Sequence, residues 1–232
     1  MKSFIDKYSI PLSVVVAGIF IAGAVLLSNF YSAKNNLVGE DLKTGEIEEE
    51  DNYYLNALPV SEEDRILGNK DAKLKVVTYA DMECPYCIIF GSTMREIVDG
   101  SNGQVAWVFR HFPLDSHENA MPAAIASECL ADIEGEGKFW DFMDKFEEAV
   151  KAGSSIDVKK IAVSLGANSQ EFETCYNSEK FSEKISANFN NAIKAGLLGT
   201  PYSVIFSDGE PVGVIDGASP IEDVRAELNL YL

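Results

Sequence analysis

The chain has 232 residues, which is long enough for one domain with a hydrophobic core. Its 37 acidic and 19 basic side chains give a formal net charge of -18 at pH 7. This charge argues against nucleic acid as a partner and disfavours anionic lipid headgroups, because binding to phosphates needs clustered Lys and Arg. We interpret the charge mainly as a source of solubility, with a negative field that selects basic substrates as the alternative.

The first element along the chain is an uncharged, apolar run at residues 10–31. As a helix it would extend roughly 33 Å at about 1.5 Å per residue, which is enough to cross a bilayer core. A cleaved secretory signal is the alternative, although the apolar core of such a signal is usually only about 7–15 residues long. We therefore predict a retained transmembrane anchor at 10–31 after a short tail at 1–9. Lys2 and Lys7 weakly favour a cytoplasmic tail.

A linker is predicted at residues 32–63, where Asp and Glu are frequent and large apolar side chains are few. Like charges repel one another and extend such a segment. We place the folded domain at residues 64–232.

The folded domain opens with a predicted strand–helix–strand unit. Residues 74–79 are mostly β-branched or apolar, residues 88–98 have helical spacing, and residues 105–110 form a second strand. Such a unit implies a parallel pair of strands joined by a right-handed crossover.

A helical block is predicted next, at about residues 116–195, and strands follow it. Asp157 is the expected cap of one short helix in this block. The dipeptide Asp208-Gly209 lies between two apolar runs and indicates a β-hairpin. Ser219 is expected to cap a last helix whose first residue is Pro220.

A Cys-x-x-Cys motif, Cys84-Pro85-Tyr86-Cys87, follows the first buried strand and opens the next helix. Pro85 suits the first helical position, which puts Cys84 at the helix N-terminus, where free N–H groups and the helix dipole favour a thiolate. Cys87 then lies one turn further in, on the same face. This placement predicts thiol–disulfide exchange, with Cys84 as the exposed nucleophile and Cys87 as the resolving thiol. Glu83 opposes the thiolate by like-charge repulsion.

A zinc site is the main rival interpretation of the two cysteines. Structural zinc needs four ligands, usually as two close pairs, and the sequence has no second Cys-x-x-Cys. His111 and His117 are not spaced as a ligand pair, and we expect both to be structural. We therefore predict no metal.

Together these features resemble the DsbA-like branch of the thioredoxin superfamily. Four motifs carry the resemblance, and they span the chain from about residue 64 onward: DMECPYC at 81–87, FRHFPL at 109–114, GKFW at 137–140 and GTP at 199–201. The implied fold class is α/β, a thioredoxin-like fold with an inserted all-helical subdomain, here preceded by one transmembrane helix.

The resemblance also implies a substrate site and partners. Pro201 would be a cis proline that faces the disulfide, with Thr200 beside it, in a loop that holds substrate backbone. Pro85, Tyr86, Thr200 and Pro201 are therefore the expected substrate contacts. Family members act on exported proteins with cysteines and are recycled by a quinone-linked membrane partner, either DsbB-like or vitamin K epoxide reductase-like. No cofactor is expected.

The sequence departs from the family pattern on the first strand. Many members carry a buried Glu six residues before the nucleophile, and Thr78 stands there. Asp81 is a possible substitute, although we expect it to be a surface turn residue. The dipeptide Pro85-Tyr86 resembles that of glutaredoxins, so we expect a midrange reduction potential.

The other two cysteines, Cys129 and Cys175, lie on separate predicted helices. Buried free cysteines are one interpretation. We favour a structural disulfide, which some relatives also have and which an exported chain permits.

Three functional hypotheses follow. The leading one is a membrane-tethered oxidase, extracytoplasmic in the periplasm or at the cell surface, that introduces disulfides into exported proteins. A reductase or isomerase fed by a membrane electron donor would use the same chemistry in reverse. A non-catalytic binding or chaperone module around Thr200 and Pro201 belongs to a different class, and the intact pair of Cys84 and Cys87 argues against it.

Overall fold

A five-stranded mixed sheet lies at the centre of the computed structural model, which describes residues 52–232. The strands are β1 (Arg65–Leu67), β2 (Leu74–Ala80), β3 (Val105–His111), β4 (Tyr202–Ser207) and β5 (Glu210–Asp216). Their spatial order is β1-β3-β2-β4-β5, with β2 parallel to β3 and antiparallel to β4. β2 is therefore the central strand, and it is buried on both faces, which explains its nearly continuous apolar sequence.

Seven α-helices surround the sheet within the described residues. They are α1 (Pro85–Gly100), α2 (Ala120–Glu134), α3 (Gly137–Lys151), α4 (Val158–Ser164), α5 (Ser169–Asn177), α6 (Ser182–Lys194) and α7 (Ile221–Leu228). Helix α1 is the crossover between the parallel strands β2 and β3. Helices α2 to α6 lie between β3 and β4 in sequence, so the thioredoxin-like fold and its helical insertion are confirmed.

The two faces of the sheet pack against different helices. Alternate side chains of a strand point to opposite faces. Accordingly, Val76 belongs to a core cluster with side chains of α1, α2 and α3, whereas Val77 and Tyr79 belong to a second cluster with side chains of α6. The sheet thus packs against α1 with one of its two faces.

Two cap predictions had different outcomes. The Asp157 carboxylate accepts a hydrogen bond from the Lys160 backbone N–H at 3.1 Å, so it caps α4 as predicted. The prediction for α7 was one residue early. Pro220 has an extended ψ of 149° and is itself the N-cap, and α7 begins at Ile221. The Ser219 hydroxyl instead donates to the Asp216 carbonyl oxygen at 3.4 Å.

The folded unit begins at Asn52 rather than at residue 64. Residues 53–56 form a short 3-10 helix, and Ala57 behind it is buried. The buried Arg110 guanidinium donates to the carbonyl oxygens of Leu58 and Pro59 at 2.8 and 2.9 Å, and it forms a two-pronged ion pair with Asp64. The last part of the predicted linker is therefore bound to the domain.

The predicted tail at 1–9, the anchor at 10–31 and linker residues 32–51 lie outside the described residues. From Asn52 to Leu232, no helix is both long enough and apolar enough to cross a membrane.

Candidate active site

Cys84 and Cys87 lie where β2 ends and α1 begins. Cys84 is the N-cap of α1, with an extended backbone (φ -68°, ψ 122°), and Pro85 is the first helical residue. Both cysteines are free thiols, and both are largely buried, at 5% and 7% exposure, so Cys84 is not the exposed thiol that the sequence predicted. The structure therefore holds the pair in its reduced state, with Cys84 at the positive end of the helix.

The two thiols have opposite proton affinities. The hydrogen bond from the Cys87 thiol is the largest cause that lowers the pKa of Cys84 from 9.0 to about 5. Burial opposes this shift, and the backbone N–H groups of Cys87 and Tyr86 add to it. The same thiol–thiol hydrogen bond, together with burial, raises the pKa of Cys87 far above its ordinary value. At neutral pH, Cys84 is consequently a thiolate and Cys87 keeps its proton.

The loop before β4 faces this pair. The Cys84 thiol lies 3.9 Å from the Thr200 carbonyl oxygen, and the Thr200-Pro201 peptide bond is cis, as the resemblance implied. The antiparallel register that pairs Tyr79 with Tyr202 places this loop beside the end of β2. The Thr200 hydroxyl is buried and has no hydrogen-bond partner among residues 52–232.

Three large side chains close in sequence to the redox pair or to Thr200 are exposed to solvent. Tyr86 lies between the two cysteines and is 65% exposed, and Ile89 follows two residues after Cys87 at 57%. Leu198, two residues before Thr200, is 97% exposed. Tyr86 was expected from its place between the cysteines, but Ile89 and Leu198 were not, because single apolar residues are found both inside a protein and on its surface.

Asp81 is not the surface turn residue that the sequence led us to expect. It is only 1% exposed, and its carboxylate accepts hydrogen bonds from the backbone N–H groups of Glu83 and Leu114 at 2.7 and 2.9 Å. The same carboxylate contacts His117 Nδ1 at 2.8 Å. Asp81 is buried because residues 112–119 fold over the Cys84 turn, which we define as residues 81–84.

Glu83 also ties this turn to the same segment. Its carboxylate accepts hydrogen bonds from the Asn119 backbone N–H at 2.7 Å and from the Asn119 side-chain amide at 2.9 Å. The two acidic residues of the turn thus fix the connection between β3 and α2.

Thr78, which replaces the expected buried Glu, belongs to a neutral network. Its hydroxyl lies 2.8 Å from the Ser203 hydroxyl and accepts a hydrogen bond from Trp107 Nε1 at 2.9 Å. All three residues are buried. This part of the core therefore contains hydroxyl groups in place of an ionisable side chain.

The side chain of His111 forms its hydrogen bond with Glu128 and not with the redox pair. Its Nε2 lies 3.1 Å from a carboxylate oxygen of the buried Glu128, which also pairs with Arg65 and Lys184. Burial lowers the pKa of His111, so the ring is neutral and its Nε2–H donates a hydrogen bond to this carboxylate. Burial also opposes ionisation of Glu128, yet the His111 hydrogen bond and the two cations hold its pKa at about 2. This cluster joins β1, β3, α2 and α6.

The remaining two cysteines, Cys129 and Cys175, are joined by a disulfide between α2 and α5, with their Cα atoms 5.8 Å apart. Cys129 is fully buried in the main core cluster. Within the described part of the chain, no group of three or more His, Cys, Asp or Glu side chains is arranged to hold a metal ion.

Comparison with known proteins supports this description of the fold. A family model described as Thioredoxin matches residues 60–229. The crystal structure of Wolbachia pipientis alpha-DsbA1 superposes with a TM-score of 0.63 at 23% identity, covering 75% of this chain and 92% of that one. The structure of oxidised BdbD from Bacillus subtilis gives a TM-score of 0.61 at 21% identity, covering 75% and 97%. The fold is thus the one that DsbA proteins have.

Curated relatives are of two kinds. A protein of Rickettsia bellii named "Putative protein-disulfide oxidoreductase" is 29% identical over 152 residues, which are 61% of this chain and 56% of that protein. A protein of Mycolicibacterium gilvum named "Na(+)/H(+) antiporter NhaA 1" is 30% identical over 169 residues, which are 71% of this chain and 27% of that protein. The match thus spans about half of the first relative and about a quarter of the second.

Proposed function

Because the chain belongs to the thioredoxin family, we propose that it is a thiol–disulfide oxidoreductase that transfers the Cys84–Cys87 disulfide to exported proteins. The observation that carries the proposal is the opposite direction of the pKa shifts of the two thiols. A lowered pKa makes Cys84 a stable thiolate and a good leaving group, while Cys87 keeps its proton. Stabilisation of the reduced form in this way favours oxidation of the substrate. The name of the Rickettsia bellii relative agrees with this class of reaction.

The reaction begins with the oxidised pair. A substrate thiolate attacks Cys84 Sγ, the Cys84–Cys87 bond breaks, and Cys87 leaves and takes up a proton. A second substrate thiolate then attacks the substrate sulfur of the mixed disulfide and releases Cys84 as a thiolate. Two electrons pass to the protein, and the substrate gains one disulfide. Exchange of this kind proceeds through a mixed disulfide in two steps.

Substrate binding is assigned to Pro85, Tyr86, Thr200 and Pro201. Tyr86 exposes an aromatic ring next to the nucleophile, and the Thr200 carbonyl oxygen lies 3.9 Å from the Cys84 thiol. The exposed apolar side chains of Ile89 and Leu198 extend this surface. Exposed apolar residues that lie close to a reactive group are typical of a protein-binding site.

The proposed compartment is extracytoplasmic. The disulfide between Cys129 and Cys175 supports this assignment, because structural disulfides persist in oxidising compartments. We further propose that residues 10–31 anchor the chain in the membrane as a single span and that a quinone-linked membrane protein, DsbB-like or vitamin K epoxide reductase-like, reoxidises the pair.

A reductase or isomerase is the second candidate. Asp81 and Glu83, three residues and one residue before Cys84 in sequence, add two carboxylates to the Cys84 turn, and negative charge disfavours a thiolate. This feature would make the reduced form less stable and the pair less oxidising.

The proposal is tested by mixing the oxidised protein with a reduced substrate protein and following disulfide formation in the substrate. We expect stoichiometric oxidation by the wild type and none by Cys84→Ser. Absence of oxidation by the wild type, combined with efficient reduction of a disulfide substrate, would favour the second candidate.

A further inference from the structure

Asp81 holds a buried carboxylate at the base of the Cys84 turn. The Cys84 backbone N–H donates to the Asp81 carbonyl oxygen at 3.2 Å, so the nucleophile and this residue are part of one turn. The Asp81 side chain is in addition fixed by the N–H groups of Glu83 and Leu114. The backbone and the carboxylate of Asp81 are therefore both held by hydrogen bonds of this turn and of the segment that covers it.

His117 is the positive group that faces this carboxylate. A carboxylate has no proton to donate, so the 2.8 Å contact requires that His117 Nδ1 carry the hydrogen. Within residues 52–232, His117 is the only basic side chain that pairs with Asp81 or Glu83. Glu83 has only the neutral donors of Asn119. Among the contacts of residues 52–232, His117 is thus the one basic partner of the two acidic residues in the Cys84 turn.

The electrostatics of His117 agree with this geometry. Burial opposes protonation, but the hydrogen bond and charge of Asp81, followed by the charges of Cys84 and Glu83, raise the pKa of His117 above its ordinary value. Coupling between two titrating groups is reciprocal. Because the Cys84 thiolate favours the imidazolium, the imidazolium favours the thiolate to the same extent.

We propose that His117 is a positioning residue whose imidazolium neutralises the buried Asp81 carboxylate and thereby keeps Cys84 in its thiolate form. The inference rests on the proposed function, since it assigns a regulator to the same redox pair. The buried partner, Asp81, makes the effect specific to this location: without His117, an uncompensated negative charge lies three residues before the nucleophile. Loss of the cation then weakens the thiolate as a leaving group.

The test is a charge-balance cycle on the full-length reduced protein, in which the ultraviolet absorbance of the thiolate gives the pKa of Cys84. We expect His117→Gln to raise this pKa by about one unit, the lower end of the shift that a nearby opposite charge causes. Asp81→Asn removes the carboxylate, so it should leave the pKa unchanged or lower it. The double variant D81N/H117Q lacks both charges and should return the pKa towards the wild-type value. Lys145→Gln removes an exposed cation on α3 and is the matched control.

Two outcomes overturn the inference. One is an unchanged pKa in His117→Gln. The other is a rise in Asp81→Asn or in the double variant that equals the rise in His117→Gln, because a purely structural role of the contact predicts damage from either partner. The titration needs no substrate, so it gives its answer even if the wild type does not oxidise proteins. The two failures are therefore distinguishable.

Discussion

The Cys84 thiol lies 3.9 Å from the carbonyl oxygen of Thr200, although 116 positions of sequence separate the two residues. Strand pairing accounts for this proximity. β2 leads directly into the Cys84 turn, and β4 starts directly after Pro201. Because the two strands are antiparallel neighbours, the end of one meets the start of the other. The central sheet thus brings the redox pair and the candidate substrate loop together.

Cys87→Ser should trap the exchange reaction at its first covalent stage. The raised pKa of Cys87 assigns it as the inner thiol, which, when the exchange runs in reverse, attacks Cys84 Sγ of the mixed disulfide and releases the substrate as a thiolate. Mixed with a substrate that carries a disulfide, the variant should let the Cys84 thiolate attack one substrate sulfur and release the other as a thiolate. The mixed disulfide should then accumulate, detectable by non-reducing electrophoresis and mass spectrometry. Cys84→Ser is the matched control and should form no adduct. An adduct on Cys87 in that control would reverse the assigned roles.

The reduced protein should lose stability as the pH falls. Folding lowers the pKa of Cys84 from 9.0 to about 5, chiefly through the hydrogen bond from the Cys87 thiol. Between these pH values the unfolded state binds more protons than the folded state. The free energy of unfolding therefore decreases by up to about 1.4 kcal/mol for each unit by which the pH is lowered. The oxidised protein has no thiol there and lacks this dependence.

Denaturant unfolding of both redox forms at several pH values between about 5 and 9 measures this effect. The stability of the reduced form relative to that of the oxidised form should decrease as the pH decreases. A Cys84→Ser protein should show no such dependence, and a constant difference in the wild type would refute the assigned thiolate.

Arg110→Met should destabilise the domain strongly. It leaves Asp64 as a buried charge without its ion-pair partner and removes two hydrogen bonds to the carbonyl oxygens of Leu58 and Pro59. Loss of one member of a buried pair typically costs about 3–5 kcal/mol. Lys145→Met, in an exposed pair with Glu148, is the control and should change little. If Arg110→Met and Lys145→Met unfolded at the same denaturant concentration, the contacts of Arg110 with residues 58–64 would contribute nothing to stability.

Removal of the second disulfide should affect stability and not chemistry. Cys129 and Cys175 are 46 positions apart, and closing a loop of this size is worth at most about 4 kcal/mol in the chain-entropy model. The variant C129A/C175A should therefore unfold at lower denaturant concentration yet oxidise substrate at the wild-type rate. A large loss of rate at unchanged stability would assign this disulfide a redox role.

Local sequence patterns were sufficient to predict much of the fold. The apolar run of β2, Pro85 at the start of α1 and Asp208-Gly209 in the β4–β5 hairpin each use interactions between neighbours in sequence. The strand β1 escaped prediction because it has only three half-buried residues at the edge of the sheet. The cap of α7 was misplaced because the backbone angles of Pro220 depend on how the hairpin ends.

The environment of the redox pair could be predicted only in part. Asp81 and His117 are 36 positions apart, and nothing local to either residue indicates that they meet. An Asp after a strand is usually exposed, and here the fold of the following segment buries it. Composition gave the one available signal, because the chain has only two histidines and one of them, His117, lies shortly after the strand predicted at residues 105–110.

The reduction potential of the Cys84–Cys87 pair tests the central claim most directly. The full-length protein would be equilibrated in glutathione buffers of defined potential, and its free thiols would be quantified by alkylation and mass spectrometry. The lowered pKa of Cys84 predicts a stable reduced form and a potential between about -120 and -180 mV, in the range of disulfide donors and isomerases. A potential near about -270 mV would place the protein with reductases and contradict transfer of its disulfide to exported proteins.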